Sequence, residues 1–331
     1  MCDRERGLHA TQGAWFLHRD EGGVTPSLHL QAPPGGSMKI DTHQHYWRYR
    51  PAEFPWINDA MPDLQKDCMP VDCEDAMRVA GVDGVVAVQA RTLVDETDFL
   101  LKVADNHPEV LGVVGWADLA APDLEAHLER WTAHPAMRGI RHILQDEADV
   151  NAWLNNPANS KGLRAVQHAG LVYDVLVFDH QMPGVASFCA KHDGHWLVLD
   201  HLGKPAIRDW IANPEVPSRW LSSMRSLATL PHVVCKLSGL VTETDWKSGK
   251  GISPTDSKIM WNCFDQALEA FGPHRLMFGS DWPVCQLAAP YDVVHGLVQK
   301  WAKTRLTMAE QEAFWSGNAI RCYGLNVHSE A

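Results

Sequence analysis

From Met38 onward, short runs rich in apolar and β-branched residues alternate with longer segments whose apolar residues recur at helical spacing. Short apolar runs bounded by polar turns are typical of buried strands, and amphipathic segments between them are typical of crossover helices. The pattern predicts eight strands, at Met38–Thr42, Val85–Ala90, Leu111–Trp116, Met137–Ile143, Leu171–Val177, Trp196–Leu199, Val233–Leu237 and Leu276–Gly279. We expect these strands to form one parallel sheet, because helical crossovers connect parallel neighbours.

Nine helices are predicted between and after the strands, at Val71–Ala80, Glu96–Asn106, Pro122–Ala133, Lys161–Ala169, His180–His192, Pro217–Thr229, Thr255–Phe271, Tyr291–Thr304 and Met308–Ser316. Repeated strand–helix units without a break in composition favour the α/β class and a single (β/α)8 TIM barrel. The alternative is an open doubly wound sheet, which often carries a glycine-rich phosphate turn after its first strand. Here the first strand runs into His43-Gln44-His45, and no nucleotide-binding or nucleophile-elbow motif is found.

Residues 1–37 mix Arg, His, Asp, Gly and Pro without periodicity and end in the stretch Ala32-Pro33-Pro34-Gly35-Gly36-Ser37. This segment lacks the apolar core of a signal peptide. We expect residues 1–37 to be a disordered extension or the remnant of an upstream start, and residues 38–331 to form the barrel. A second hypothesis is an N-terminal arm that packs on the barrel or on a neighbouring molecule.

The net charge of −12 on 331 residues argues against a nucleic-acid or anionic-membrane partner, since neither is attracted to an acidic protein. No apolar run approaches the roughly 20 residues that span a bilayer. The eight cysteines are scattered without a Cys-x-x-Cys motif, which predicts free thiols and a cytoplasmic location. A small molecule is therefore the expected partner, and the sequence leaves the oligomeric state open.

His43 and His45 are the first candidate site residues, because side chains two apart on a strand project to the same face. Two imidazoles at a strand end bind a metal or polarise a carbonyl, whereas a lone buried histidine is more often structural. Catalytic groups of such barrels lie at the carboxyl ends of the strands. The other polar or aromatic residues at those positions are Gln89, Arg91, Trp116, Asp118, Arg141, His142, Asp200, His201, Lys204, Lys236, Ser238 and Asp281.

Most of these residues also have a structural interpretation. An Asp after a strand often caps the next helix, which is reasonable for Asp118 and Asp200. It is less suitable for Asp281, because the sequence Gly279-Ser280-Asp281-Trp282-Pro283 does not open a helix at once. Lys204 and Lys236 are either substrate ligands or ion-pair partners.

The strand-one His-x-His and the strand-eight Asp together resemble the amidohydrolase superfamily, over nearly all of residues 38–325. Within it, the chain is similar to the branch that hydrolyses lactones of sugar acids and of aromatic breakdown products. The motifs that carry the resemblance are Ile40–Trp47, Val88–Arg91, Arg141–Glu147, Val198–Pro205, Lys236–Glu243 and Met277–Pro283.

The resemblance implies either one divalent ion or none. Members with two metals add a Lys or Glu from strand four and histidines from strands five and six, whereas this chain has Arg141 and no strand-five histidine. An Arg cannot ligate a metal because it stays protonated. A single, weakly bound Zn²⁺ on His43, His45 and Asp281 is one expectation. The favoured one is metal-free, with Asp281 as the base on water and His43, His45 and His201 donating to the carbonyl.

The resemblance also implies a substrate, L-fucono-1,5-lactone, opened to L-fuconate in L-fucose breakdown, with L-galactono- and D-arabinono-lactones as further substrates. The residues expected to bind it are Gln89, Arg91, Trp116, Arg141, His142, Trp47 and Trp282. The alternatives are a rhamnono-, galactaro- or pyrone-dicarboxylate lactone, a metal-dependent decarboxylase, and a sugar-binding barrel without catalysis.

Overall fold

The computed structural model describes residues 38–210 and 215–327, which contain eight parallel strands with helices between them. The strands are β1 (Ile40–Gln44), β2 (Gly84–Val88), β3 (Val110–Gly115), β4 (Met137–His142), β5 (Val172–Val175), β6 (Leu197–Leu199), β7 (Val233–Leu237) and β8 (Leu276–Phe278). Each strand pairs with the next one along the chain. The N–H of His45 donates to the carbonyl of Trp282 at 2.7 Å, and that of Asp281 to the carbonyl of His43 at 2.9 Å. These bonds join the two edges of the sheet, and the predicted TIM barrel is confirmed.

Eleven α-helices lie in the described ranges. They are α1 (Glu74–Ala80), α2 (Asp95–Asn106), α3 (Leu124–Thr132), α4 (Val150–Leu154), α5 (Pro157–His168), α6 (Val185–Ala190), α7 (Glu215–Ala228), α8 (Pro254–Phe271), α9 (Tyr291–Arg305), α10 (Met308–Glu312) and α11 (Asn318–Tyr323). All nine predicted helices correspond to one of these, while α4 and α11 were not predicted. Both are short, and their periodicity is too brief to show in the sequence.

Several element bounds differ from the prediction, and three of the differences are described here. Strand β1 begins and ends two residues later than predicted, so His43 belongs to the strand itself. The predicted helix His180–His192 is a 3₁₀ turn at Asp179–Gly184 followed by α6, because Pro183 has no N–H with which to continue a helix. Helix α5 begins four residues early, because the Asn156 side chain accepts the N–H of Ala158 and caps it.

The alternating side chains of the strands form two apolar cores. In β2, Val85 and Ala87 pack outward against the helices, whereas Val86 and Val88 point into the barrel. Tyr323 and Leu325, in and just after α11, belong to the interior cluster. The C-terminal helix thus closes the barrel at the end opposite the strands' carboxyl termini.

Seven of the eight cysteines lie in the described ranges, and all seven are buried and free. Within these ranges, no helix combines the length and the apolar character that a membrane crossing requires. The predicted extension at residues 1–37 lies outside the described residues.

Candidate active site

The carboxylate of Asp281 is the centre of a cluster at the carboxyl ends of the strands. Its Oδ1 lies 3.3 Å from Nε2 of His45 and 3.9 Å from Nε2 of both His43 and His201. Asp281 has a left-handed backbone (φ 62°), fixed by the bond of its N–H to β1. The four side chains predicted to be catalytic are thus brought together at one point.

Three imidazoles surround the carboxylate of Asp281 and control its ionisation. Burial alone would raise the pKa of Asp281, but His201, His45 and His43 together lower it below its ordinary value. Burial in turn lowers the pKa of His201 to about 4, against the opposing effect of Asp281. At neutral pH the site therefore contains an ionised carboxylate next to a neutral His201.

Hydrogen bonds at the far nitrogens of His45 and His201 orient the two rings. Nδ1 of His45 lies 2.8 Å from the carbonyl of Val88, so Nδ1 is a donor and Nε2 points at Asp281. Nδ1 of His201 lies 2.8 Å from the hydroxyl of Ser238. A hydroxyl can donate to Nδ1, which leaves Nε2–H of His201 as a donor into the cavity.

His43 lies between two permanent cations. Nη1 of Arg141 is 3.2 Å from its Nε2, and Nζ of Lys236 is 3.2 Å from its Nδ1. Both cations only donate, but the Lys236 ammonium is engaged by Asp174 at 2.6 Å and Asp200 at 3.1 Å, so we assign Nε2 of His43 as the acceptor from Arg141 and Nδ1–H to Asp200 at 3.4 Å. Burial first, and Lys236 in addition, lower the pKa of His43 well below its usual value in spite of Asp200. His43 is therefore held neutral.

Beneath the imidazoles lies a fully enclosed array of charges. Asp200 accepts from Arg141 at 3.0 Å and contacts Lys236 at 3.1 Å, and Lys236 also contacts Asp174 at 2.6 Å. Tyr323 donates to Asp174 at 2.9 Å. Burial raises the pKa of Asp174 to about 6 against the effect of Lys236, whereas Lys236, His43 and Arg141 overcome the effect of burial and hold the pKa of Asp200 well below normal. Asp200 is thus an ion-pair partner and not a cap, and Lys236 is an ion-pair partner as well.

The remaining predicted residues support the cluster or lie around it. Nε of Arg141 donates to the side chain of Gln89 at 2.9 Å, and its Nη2 donates to the Gln89 carbonyl at 2.6 Å. The guanidinium of Arg91 is held by Glu96, at 2.7 Å, and by Glu53. These contacts leave Arg141 as the guanidinium closest to the reacting groups.

The predicted aromatic residues are mostly engaged with protein groups. Trp116 donates to His142 at 3.2 Å, and the other ring nitrogen of His142 lies 2.7 Å from Glu147. Trp47 donates to the carbonyl of Lys66 at 2.8 Å, and Trp282 is buried against Tyr46. Their proposed contact with substrate stays a prediction.

A cavity of about 330 Å³ opens above Asp281. His45, Arg141, His201 and Asp281 line its floor, and Gln89, Arg91, Trp116, His142, Trp47 and Trp282 are not among its lining residues. Its walls come from loops, with the residues Trp56, Met61, Ala90, Ile143, Gln145, Asp146, Leu176, Phe178, Lys204, Arg208, Thr242, Glu243, Trp246, Lys247, Val284 and Leu287. Most of these were missed because several loop residues separate them from a strand end, so the sequence gives no signal of their direction.

His43, His45 and Asp281 present three ligand atoms within 4.8 Å of one another, as do His43, Asp200 and His201. Both groups need His43, whose two ring nitrogens already face Arg141 and Lys236. A divalent ion there would be repelled by two cations and would have to displace Arg141 from Nε2. The donor set therefore fits a metal only in part, with His45 and Asp281 as the accessible ligands.

A TIM barrel with a His-x-His strand and a strand-eight Asp around one cavity at the carboxyl strand ends has the form of an enzyme active site. The amidohydrolase family profile matches residues 40–325. The chain belongs to the amidohydrolase family.

Two curated relatives carry the same name. The chain is 49% identical over 296 residues to the L-fucono-1,5-lactonase of Burkholderia multivorans, a match that covers 89% of this chain and 99% of that protein. It is 32% identical over 256 residues to the L-fucono-1,5-lactonase of Burkholderia ambifaria, covering 77% and 83%. The crystal structure of a B. multivorans amidohydrolase with bound Zn is 50% identical, with a TM-score of 0.84 over 87% of this chain and all of that one.

Proposed function

We propose that this protein hydrolyses L-fucono-1,5-lactone to L-fuconate, and related sugar lactones more slowly, as a step of L-fucose catabolism. The observation that carries the proposal is the ionised Asp281 at the floor of a polar cavity, facing His45 and His201. The names of the two Burkholderia relatives support the choice of lactone. The seven cysteines in the described part of this chain are free, buried thiols, which supports a reducing, cytoplasmic location.

Asp281 acts as the general base. Its lowered pKa keeps it ionised at neutral pH, and its position in the cavity floor allows it to hold a water against the lactone carbonyl carbon. The water loses a proton to Asp281 as its oxygen bonds to the carbon, and the carbonyl oxygen becomes an oxyanion. No nucleophilic side chain is required for this step.

Two groups are suited to stabilise the oxyanion. Nε2–H of His201 is the free donor of a neutral ring, and Arg141 adds a positive charge at the cavity floor. The contacts of His43 change the role expected from sequence, because Nε2 of His43 accepts from Arg141 and cannot donate to a carbonyl at the same time. We therefore assign His43 to holding Arg141, with Gln89 holding its other edge.

The proton returns to the ring oxygen when the tetrahedral intermediate collapses. Nε2 of His45, 3.3 Å from Asp281, is close enough to share this proton with the protonated Asp281. Cleavage of the bond from C1 to the ring oxygen then gives the hydroxy acid. The remaining predicted residues, Arg91, Trp116, His142, Trp47 and Trp282, are proposed to support the walls of the cavity.

We further propose that this reaction does not require a divalent ion, since the charge of Arg141 already stands beside the His-x-His pair. If an ion binds, His45 and Asp281 would hold it, and it would supply Lewis acidity at the carbonyl. The rival decarboxylase reaction is less well supported, because the metal site that it resembles is completed by a histidine from strand five. The chain has Val175 and Leu176 at that strand end.

The test is a pH-indicator assay on freshly prepared 1,5-lactones of sugar acids, with and without a chelator, together with carbon dioxide detection on aromatic acids. The proposal expects L-fucono-1,5-lactone to be opened with the highest kcat/KM and the chelator to have little effect. Slower opening of this lactone than of the other sugar lactones would refute the substrate assignment. Complete loss of activity with the chelator would refute the metal-free mechanism.

A further inference from the structure

One side of the cavity is apolar. Trp56, Met61, Val284 and Leu287 line it there, and we call these four residues the apolar corner. Each is partly exposed and packs with its inner side on the hydrophobic core. The turns Pro62–Leu64 and Val284–Leu287 are in contact, which brings the loop after β1 against the segment after β8. The corner is therefore a continuous surface built by two neighbouring loops.

The lining residues from the other loops include five charged side chains. Lys204 and Arg208 follow β6, Glu243 and Lys247 follow β7, and Asp146 follows β4. Arg208 contacts Glu243 at 3.5 Å, whereas no acidic group lies within ion-pair distance of Lys204 among the described residues. These side chains offer donors and acceptors suited to sugar hydroxyls. The charged groups of the cavity walls thus come from the loops after β4, β6 and β7, whereas the apolar corner comes from the loops after β1 and β8 and carries no charged side chain.

The apolar corner is close to the reacting centre along the chain. Val284 lies three residues after Asp281, and the N–H of Cys285 bonds to the carbonyl of Asp281 at 2.8 Å, which fixes the turn. Because Val284 and Asp281 line the same cavity, a substrate group that contacts Val284 lies on the Asp281 side of the cavity.

In a sugar 1,5-lactone, the ring oxygen joins C1 to C5, so the substituent on C5 is the nearest one to the leaving oxygen. The hydroxyls on C2, C3 and C4 occupy the rest of the ring. We propose that the apolar corner binds the C5 substituent of the substrate and selects a methyl group there, so that the enzyme prefers 6-deoxy sugar lactones. This inference rests on the proposed lactone hydrolysis and adds to it the feature that sets specificity.

The discriminating substrates share the same ring stereochemistry and differ at C5 only. They are L-fucono-, L-galactono- and D-arabinono-1,5-lactone, which carry a methyl group, a hydroxymethyl group and a hydrogen. An apolar pocket for one small alkyl group typically gives about 10–200-fold discrimination. We expect kcat/KM to be at least about tenfold higher for the methyl lactone than for each of the other two.

Leu287→Asn replaces part of the corner with a polar side chain of similar size. It should lower kcat/KM for the methyl lactone about tenfold and leave the values for the other two within about twofold. Val284→Thr keeps the shape of the side chain and adds a hydroxyl. It should also lower the ratio of kcat/KM for the methyl lactone to kcat/KM for the other two lactones. The matched control is Leu176→Asn, which makes the identical change at a lining residue outside the corner. It should affect the three lactones equally.

The inference fails if the methyl preference is absent, if it survives both corner variants, or if Leu176→Asn reduces it equally. Melting temperatures of the variants identify a general loss of folding, and Val284→Thr provides the test if Leu287→Asn does not fold. No hydrolysis of any lactone by the unmodified protein would refute the proposed function itself. The two failures are therefore distinguishable.

Discussion

Nη1 of Arg141 lies 3.2 Å from Nε2 of His43. This is the nitrogen of His43 that faces Asp281, and a metal ion bound by both residues would use it. The guanidinium supplies one positive charge where a divalent ion would supply two. The protein thus places its own cation against one ligand of the candidate metal group His43, His45 and Asp281.

Replacing this cation should raise the affinity for a metal. Arg141→Met keeps the apolar stem, removes the charge and frees Nε2 of His43, so Zn²⁺ should bind at least about tenfold more tightly. Competition with a fluorescent chelator measures this affinity independently of activity. Arg91→Met, which removes an equal charge that Glu96 and Glu53 hold, is the control and should leave Zn²⁺ affinity unchanged. Equal Zn²⁺ affinities for Arg141→Met and the unmodified protein would contradict the competition between Arg141 and metal.

Asp281→Asn removes the proposed base while it keeps the size and most contacts of the side chain. A general base contributes about 10²–10⁴-fold, so kcat should fall by that factor with KM little changed. The control is Asp118→Asn at an exposed carboxylate after β3, which should stay within about twofold. Both are measured in the same indicator assay. Full activity in Asp281→Asn would eliminate this residue as the base.

Gly239 and Gly249 provide a matched pair for testing the position of His201. Both have φ of 67°, but a Cβ on Gly239 would lie 2.5 Å from Nδ1 of His201, whereas one on Gly249 meets nothing within 4 Å. In each alanine variant, backbone strain should lower the free energy of unfolding by about 1–2 kcal/mol. Only Gly239→Ala should displace the His201 donor, and kcat should then fall about 10²–10³-fold. Equal activities of Gly239→Ala and Gly249→Ala would argue against oxyanion stabilisation by His201.

Lys236 neutralises two enclosed carboxylates, and its removal should lower the free energy of unfolding. Lys236→Met leaves Asp174 and Asp200 with less compensation, and breaking a buried ion pair in this way costs about 3–5 kcal/mol. Adding Asp174→Asn removes one of the uncompensated charges and should recover part of that loss. Urea unfolding of the single and double variants measures the free energies. A double variant less stable than Lys236→Met alone would contradict this account of the array.

The barrel was predictable because its strands are short apolar runs with long, well-separated helices, and all eight were located within two residues at their start. The bounds were wrong where a single side chain decides them, as with the cap at Asn156 and the break at Pro183. The short helices α4 and α11 carry too few residues for a periodic signal.

The cluster around Asp281 was also predictable, because a barrel brings all carboxyl strand ends to one side. The direction of hydrogen bonds was not. That His43 accepts from Arg141 depends on distances between β1 and β4, and the two residues are 98 positions apart. The apolar corner depends on loop conformations, about which strand periodicity carries no information.

Tyr323 belongs to the last helix described, yet its hydroxyl completes the array that supports His43 through Asp174 and Lys236. The catalytic end of the barrel therefore depends on a residue that a ribosome adds only after all eight strands. A nascent chain that has formed seven strands lacks Asp281 and has no plug for the opposite end of the barrel. Catalytic competence should thus appear in one step during synthesis, after residue 323 has left the exit tunnel, with no active intermediate before it.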